Sequence, residues 1–350
     1  MKQYGRQSEI IRRRRTPGIK PGGEGGVVLI ALLWIFIALT AIALSFARES
    51  RVETVAVVNT QSLEKAYYVA RAGVWETIYR LAHERFTTQT NRLGMSGEPT
   101  FLERGSFAGT FGDGRFQVSI QDESGKLDLN TATEDELRGL ALAVGIPESD
   151  ADIIADSVLD WRDTDSEHRM NGAEDEYYQS LATPYSAKNG RIDALEELLR
   201  IRGVTQDYFY GMPEKTADGS IVYKYGLSRC LTVYSNSSRT RINVNYAPMP
   251  VLLSIPGITQ ADAERIIEGR PFSNTSEISS AIAGSLSASS TQYLSTQLTD
   301  IFTLNVTAYA GNSKVKRVIR TVVRLDRGRR NYHQILYWNE NVPDYEGTNL

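Results

Sequence analysis

The densest chemistry in this 350-residue sequence is acidic. Between residues 160 and 178 runs DWRDTDSEHRMNGAEDEYY, in which Asp160, Asp163, Asp165, Glu174, Asp175 and Glu176 fall within 17 positions, with Gly172 allowing a turn between the two groups. Hard oxygen donors at loop spacing suit Ca²⁺, which takes about six to eight oxygens at ~2.3–2.6 Å. The run is not an EF-hand. Asp-x-Asp at 163–165 lacks the third ligand, the loop glycine and the terminal Glu at the required offsets. Solvated surface is the competing reading of any such run, and a glycosidase pair is another, which requires two acids across a substrate cleft. Elsewhere the chemistry is sparse. A single Cys230 excludes an intrachain disulfide and a cysteine zinc cage. His83, His168 and His333 are scattered, and neither a G-x-S-x-G nor a phosphate-cradling glycine loop after a strand occurs. His168 reads as an exposed loop residue, and serine-rich 281–292 as a loop or helix start.

The bulk composition is that of a globular protein, 41% hydrophobic and 23% charged. The net charge of −3 hides an asymmetry. Residues 1–26 carry Lys2, Arg6, Arg12, Arg13, Arg14, Arg15 and Lys20 against Glu9 and Glu24, a balance of +5 that leaves −8 for the rest. An acidic body repels phosphate backbones, which counts against nucleic acid as a partner.

After this basic segment, Val27–Ala47 is a run of 21 uncharged residues, ~31 Å as a helix and about one hydrocarbon core thick. Lys and Arg before it predict a cytoplasmic N-terminus, with everything after Arg48 outside. The run is longer than the h-region of a cleaved secretory signal, and Ser45-Phe46-Ala47-Arg48 is a poor cleavage site. A plain anchor and a prepilin-type segment compete for it. Beyond it Val52, Val55, Leu63, Ala66, Tyr67, Ala70, Val74, Ile78 and Leu81 recur at three- and four-residue steps without a proline. One continuous helix from Val27 to about Ala82 is therefore expected, half apolar all round and half amphipathic.

Gly25-Gly26 followed by VVLIALLW, then LSFARESRVE and AYYVARAGV, resembles the type II secretion minor pseudopilin K family, whose members are type IV pilin-like. The resemblance covers residues 26 to about 340. It implies a cut by prepilin peptidase after Gly26 and an N-methylated Val27 as the first mature residue. The fifth mature residue is then Ala31, where most pilins carry glutamate; a buried carboxylate there would demand a partner in the membrane. Lacking that demand fits the tip of a filament. The arginine-rich leader is long for the family. DW-x-D-x-D followed by GAED-x-YY looks like the family's calcium-associated loop, which makes Asp160, Asp163, Asp165, Glu174 and Asp175 the candidate ligands. The ion would fold the loop rather than perform chemistry.

The elements that must position this loop are mixed. FQVSIQDES (116–124) alternates like a strand, as do CLTVYS (230–235), TRINVN (240–245), IFTLNVTAYA (301–310), KVKRVIRTVVRL (314–325) and YHQILYWNE (332–340), with Gly311-Asn312-Ser313 as a hairpin turn. Three segments, 127–154, 192–205 and 242–270, share an Asn or Asp before a helix and an apolar-Gly-apolar turn. Asn130 and Asn245 are placed to cap helices, and Gly145, Gly203 and Gly257 to end them in a left-handed conformation. Such units look like helix-hairpin-helix or SAM-like modules. DNA-binding hairpins use a second glycine two positions on, where Pro147, Thr205 and Thr259 stand here.

The expectation is an α+β, type IV pilin-like fold: a long N-terminal helix packed on an antiparallel sheet, with a large helical insertion of SAM-like or helix-hairpin-helix units. Residues 1–26 form a cytoplasmic leader, 27–47 a transmembrane helix, 48–82 its periplasmic continuation and 83–125 the first part of the pilin domain. Then come a helical insertion with the acidic loop at 126–229, pilin-domain strands at 230–340 with a second SAM-like unit at 242–290, and a frayed tail at 341–350. The resemblance implies a non-enzymatic minor pseudopilin in the inner membrane. It would sit at the tip of the type II secretion pseudopilus with minor pseudopilins I and J on the major pseudopilin filament, initiating assembly and meeting secreted cargo or the outer-membrane channel. A single-span helix-hairpin-helix DNA-binding protein and a membrane-anchored periplasmic hydrolase are the alternatives.

Overall fold

The computed structural model describes residues 24–87, 101–215, 221–223, 225–235, 241–282, 288–340 and 342. The leader up to residue 23 and, apart from Val342, the expected tail lie outside them. The chain divides into two units, the first ending at Thr60 and the second beginning at Gln61.

Helix α1 (Glu24–Thr87) starts in the first unit and ends in the second. It is longer at both ends than the expected 27–82. Its last turn is held by an ion pair from Arg85 to Asp300 at 2.7 Å and by Phe86 against Tyr332. Within the first unit every described side chain is exposed. Three threonines there satisfy their hydroxyls within the helix: Thr40, Thr54 and Thr60 each donate to the carbonyl four residues earlier, at 2.7–2.9 Å. The helix is long and apolar enough to cross a membrane, with an 18-residue window of mean hydropathy 3.0.

In the second unit, residues 61–87 of α1 lie on a five-stranded sheet. The strands are β1 (Ser106–Phe111), β2 (Gly114–Asp122), β3 (Ile301–Tyr309), β4 (Lys316–Leu325) and β5 (His333–Asn339). They neighbour one another in that order, all antiparallel. Val69, Ala70, Val74, Ile78 and Leu81 on the helix pack with Phe116, Val118, Leu304 and Val306 from alternate strand positions. Gly73 sets the spacing: a Cβ there would lie 2.8 Å from the Phe116 ring and 2.9 Å from Val306. The hairpin through Gly311 joins β3 to β4 as expected, and 333–339 closes the sheet. Strand β1 is not legible in the sequence, because its inward positions are Phe107 and a glycine, Gly109, while a second aromatic, Phe111, is exposed.

Residues 123–300 leave the sheet between β2 and β3 and form a lobe with its own core, centred on Leu127, Leu140, Leu198, Ile242 and Leu252. It contains α2 (Glu134–Ala143), α3 (Glu148–Arg162), α4 (Asp175–Gln179), a 3₁₀ helix Leu195–Arg200, α5 (Gln206–Tyr210), α6 (Met249–Leu253), α7 (Gln260–Glu268) and α8 (Thr275–Ala281). Two expected strands fail here. From 230–235 only Leu231–Thr232 pairs, parallel to Leu127–Asp128; from 241–245 only Ile242–Asn243 pairs, parallel to Leu294–Ser295. Side chains end both early, since Thr232 Oγ1 accepts the Tyr234 amide and Asn243 Oδ1 the Asn245 amide.

The expected helix caps are also reassigned. Thr133, not Asn130, caps α2, forming a capping box with Glu136. Asn130 and Asn245 instead clamp distant backbone, at Ile192 and Phe272. Gly145, Gly203 and Gly257 do take φ of +92°, +87° and +85°.

Candidate metal centre

The acidic loop starts where α3 ends. Asp163 follows the helix in an extended conformation, and Asp165 Oδ1 accepts the Glu167 amide at 3.0 Å, turning the chain. The loop returns through Gly172, which has no room for a side chain: a Cβ would meet Asp160 Oδ2 at 1.9 Å. Asp156 holds the return, accepting both the backbone and side-chain amides of Asn171 at 3.0 Å. Trp161 and Tyr178 pack edge to face beneath it. Arg202 donates to the Gly172 carbonyl at 2.8 Å and lies over the Tyr177 ring.

This arrangement gathers three of the five candidate ligands. Carboxylate oxygens of Asp163, Asp165 and Glu174 lie within 4.8 Å of one another. Asp160 is engaged elsewhere, fully buried and accepting the Arg169 amide at 3.1 and 3.3 Å with the guanidinium 3.6 Å away. Asp175, at the first position of α4, accepts the Ala187 amide at 2.7 Å. Asn189 lies beside the cluster, a residue that spacing could not single out because it comes 24 positions after Asp165. It has a left-handed backbone at φ +45°, and its Nδ2 donates to the Asp165 carbonyl at 2.8 Å.

The site is rich in buried acceptors. Both carboxylate oxygens of Glu174, Asp163 Oδ1 and Asn189 Oδ1 are buried without a hydrogen-bond partner. Glu174 is 5% exposed, and burial first, then the charges of Asp160 and Asp163, push its carboxyl up to about 7. The Asn189 amide beside it pulls the other way, outside hydrogen-bond geometry. Burial and Asp165 raise Asp163 as well. Oxygens of Asp163, Asp165 and Glu174 within 4.8 Å of one another, several of them buried without a hydrogen-bond partner, have the chemistry to receive a cation. The oxygen-only donor set fits Ca²⁺. A cleft of about 480 Å³, lined in part by His168, Met170, Glu174 and Tyr177, opens beside it.

The hairpin glycines serve packing. The residues two positions beyond Gly203 and Gly257, Thr205 and Thr259, cap α5 and α7 with their hydroxyls, accepting the amides of Tyr208 and Asp262. Gly26, Val27 and Ala31 lie in the first turns of α1, all three exposed.

Comparison with known proteins supplies relatives. Family models described as type II secretion system (T2SS), protein K match residues 116–212 and 242–299. Over those two segments the chain is similar to type II secretion system protein K. A protein K homologue of Escherichia coli K12 is 29% identical over 132 residues, 38% of this chain and 37% of its own length. Type II secretion system protein K of Pseudomonas aeruginosa is 24% identical over 268 residues, 71% of this chain and 73% of its own. The crystal structure of the GspK-GspI-GspJ complex from enterotoxigenic Escherichia coli resembles this chain with a TM-score of 0.59 at 15% identity, covering 83% of this chain and 100% of that one. The chain therefore has the pilin-like α+β fold of that neighbour. The match spans little more than a third of the E. coli K12 homologue.

Proposed function

We propose that this chain is a minor pseudopilin that sits at the tip of a type II secretion filament and initiates its assembly. The observation that carries the reading is the lobe 123–300 between β2 and β3 of a pilin-type sheet, a head too bulky for repeated stacking in a shaft. Ala31 supports it, since no carboxylate at that depth asks for a subunit above. In this reading Val27–Ala47 spans the inner membrane with the N-terminus cytoplasmic, prepilin peptidase cuts after Gly26, and Val27 is N-methylated. The partners are minor pseudopilins I and J, as in the solved complex of the neighbouring GspK. The α1 residues Tyr68, Trp75 and Tyr79, 58%, 40% and 70% exposed at helical spacing, supply an aromatic stripe for partner helices. The head would meet secreted cargo or the outer-membrane channel. Asp163, Asp165 and Glu174, with the Asn189 carbonyl oxygen, would hold a structural Ca²⁺ that supplies the charge these acceptors lack.

The test begins with mass spectrometry of the N-terminus in hosts with and without prepilin peptidase, followed by co-purification with I and J. A peptidase-dependent N-methylated Val27 and a complex weakened at least tenfold by Trp75→Ala and Tyr79→Ala together are expected. An uncut terminus, or cleavage near Ala47, would overturn the pseudopilin reading.

A further inference from the structure

The lobe contains one helical pattern written twice. In the first copy Asp128 Oδ1 accepts the Asn130 amide and the Asp128 carbonyl accepts the Ala132 amide, both at 2.8 Å. In the second, Asn243 Oδ1 accepts the Asn245 amide at 3.1 Å and the Asn243 carbonyl the Ala247 amide at 3.0 Å. Both copies open on a two-residue parallel bridge. The spacing between them is 115 positions, and helices α2 and α6 begin with that same spacing, at Glu134 and Met249. Gly145 and Gly257 then turn with positive φ, and α3 and α7 start at Glu148 and Gln260.

The clamps coincide too. The Asn130 side chain makes both hydrogen bonds of an amide pair with the backbone of Ile192, at 2.8 and 3.0 Å; Asn245 does the same with Phe272, at 2.8 and 2.9 Å. Arg162 donates to the Ala132 carbonyl at 2.6 Å, and Arg270 to that of Ala247 at 2.5 Å. After each clamp a glutamate caps the next turn, Glu197 on the Asp193 amide and Glu277 on that of Ser273, with Leu198 and Ile278 fully buried one position later.

The first copy is three residues longer between its first helix start and its glycine and four longer between its second helix start and its arginine, and by far the largest difference lies beyond that arginine. Phe272 follows Arg270 by two positions, whereas Ile192 follows Arg162 by 30, so the first copy carries 28 extra residues between its arginine and its clamped residue. That extra stretch holds Asp163, Asp165, Glu174 and Asn189. The segment 192–205, which reads in sequence as a unit of its own, is the last part of the first copy.

We propose that residues 163–191 are an insertion into the first of two copies of one helical repeat, a cation-ordered module whose folding is separable from that of the lobe carrying it. The insertion is closed at its base by Arg162 and by Asn130 holding Ile192, the contacts the second copy makes without it. The cation part of this inference rests on the calcium reading above; the repeat part does not. Trp161, which the insertion covers through Tyr178, corresponds to Gly269 in the second copy and marks the boundary of the module.

Hydrogen exchange of the full chain in detergent, in CaCl₂ and in EGTA, tests the separation. Chelation is expected to speed exchange in 163–191 at least tenfold while peptides from 134–145, 195–201 and 249–268 change less than twofold. Loosening of the whole lobe would overturn the module. Exchange unchanged everywhere would instead sink the calcium reading, leaving the repeat to a second variant: Trp161→Gly with residues 163–191 replaced by one proline, copying the second copy's link. This variant is expected to be soluble, with the circular dichroism and cooperative unfolding of a folded lobe. An unfolded or aggregated variant beside a folded parent would refute the repeat.

Discussion

Glu174→Gln should reverse its effect on stability according to whether calcium is present. The carboxyl of the metal-free protein is raised from an ordinary 4.5 to about 7, burial being the larger cause. Below 4.5 it is protonated in both folded and unfolded chains and contributes nothing. As the pH rises from 4.5 to 7 the unfolded chain ionises first, so the folded state loses stability across that window, by about 3 kcal/mol in all, and remains at that deficit above 7. Glutamine removes the charge, and its amide can donate to the neighbouring carboxylates. In EGTA at pH 8 the variant should therefore be more stable than the parent by up to ~3 kcal/mol, roughly 6–10 °C in Tm for a unit of this size, and equal to it near pH 4. With calcium at about a thousand times its Kd the parent should gain ~4 kcal/mol that the variant largely forgoes. Thermal unfolding by circular dichroism at both pH values, in EGTA and in CaCl₂, gives the four numbers. A variant less stable than the parent in EGTA at pH 8 would refute the reasoning, because Glu174 would then have a donor and the pocket would not be short of a cation.

Gly125→Ala should destabilise by about 1–3 kcal/mol or more in urea denaturation, since the new Cβ would lie 2.6–2.8 Å from the backbone of Tyr246 and Ala247, which cannot move aside as a side chain can; a neutral substitution would show that the crossing from sheet to lobe is loose. Asn130→Ala and Asn245→Ala should each cost about 2 kcal/mol, and by similar amounts, because each strips two hydrogen bonds from one backbone residue; a cost at only one of them would show that the clamps are not equivalent. Asp122 is raised to about 6, burial outweighing its bonds from Ser124 and Thr299. Carbon-13 NMR of its carboxyl should give a midpoint near 6, and Asp122→Asn should lessen the loss of stability between pH 3.8 and 6; a midpoint below 4 would contradict the burial.

What was legible in the sequence was periodicity backed by burial. Ala70, Val74, Ile78 and Leu81 declare one face of α1, and the alternation in 301–310 and 314–325 declares a hairpin. The segments 230–235 and 241–245 alternate equally well but lie in the lobe, where each finds a partner for only two residues before its own Thr232 or Asn243 side chain takes the next amide. Asn130 and Asn245 sit close to helix starts, so local reasoning makes them caps; their true partners are 62 and 27 residues away. The acidic loop shows the same limit. Composition identifies the cluster, yet only the fold gives Asp160 to Arg169 and Asp175 to Ala187, and brings Asn189 in with its left-handed backbone.

The architecture is one of insertions nested within insertions, each closed at its neck by side chains. Strands β2 and β3 are antiparallel neighbours, with Asp122 opposite Phe302, so the lobe replaces an ordinary hairpin loop. Its ends meet where Asp122 accepts the Thr299 hydroxyl at 2.8 Å and the Ser124 amide at 2.7 Å. The buried Glu123–Lys126 pair, at 2.5 Å, and the Thr303 hydroxyl on Glu123, at 2.6 Å, fix the lobe's first turn to β3. Closing a longer loop costs little extra, about 0.6 kcal/mol per doubling of length. Once the neck is fixed, the sheet register is indifferent to how much chain is carried beyond it. The same logic repeats inside the lobe, where Asn130 and Arg162 close the neck of the acidic loop. A pilin-like sheet can thus carry a large head, and the head an acidic loop, without a change in the packing of α1 on the sheet.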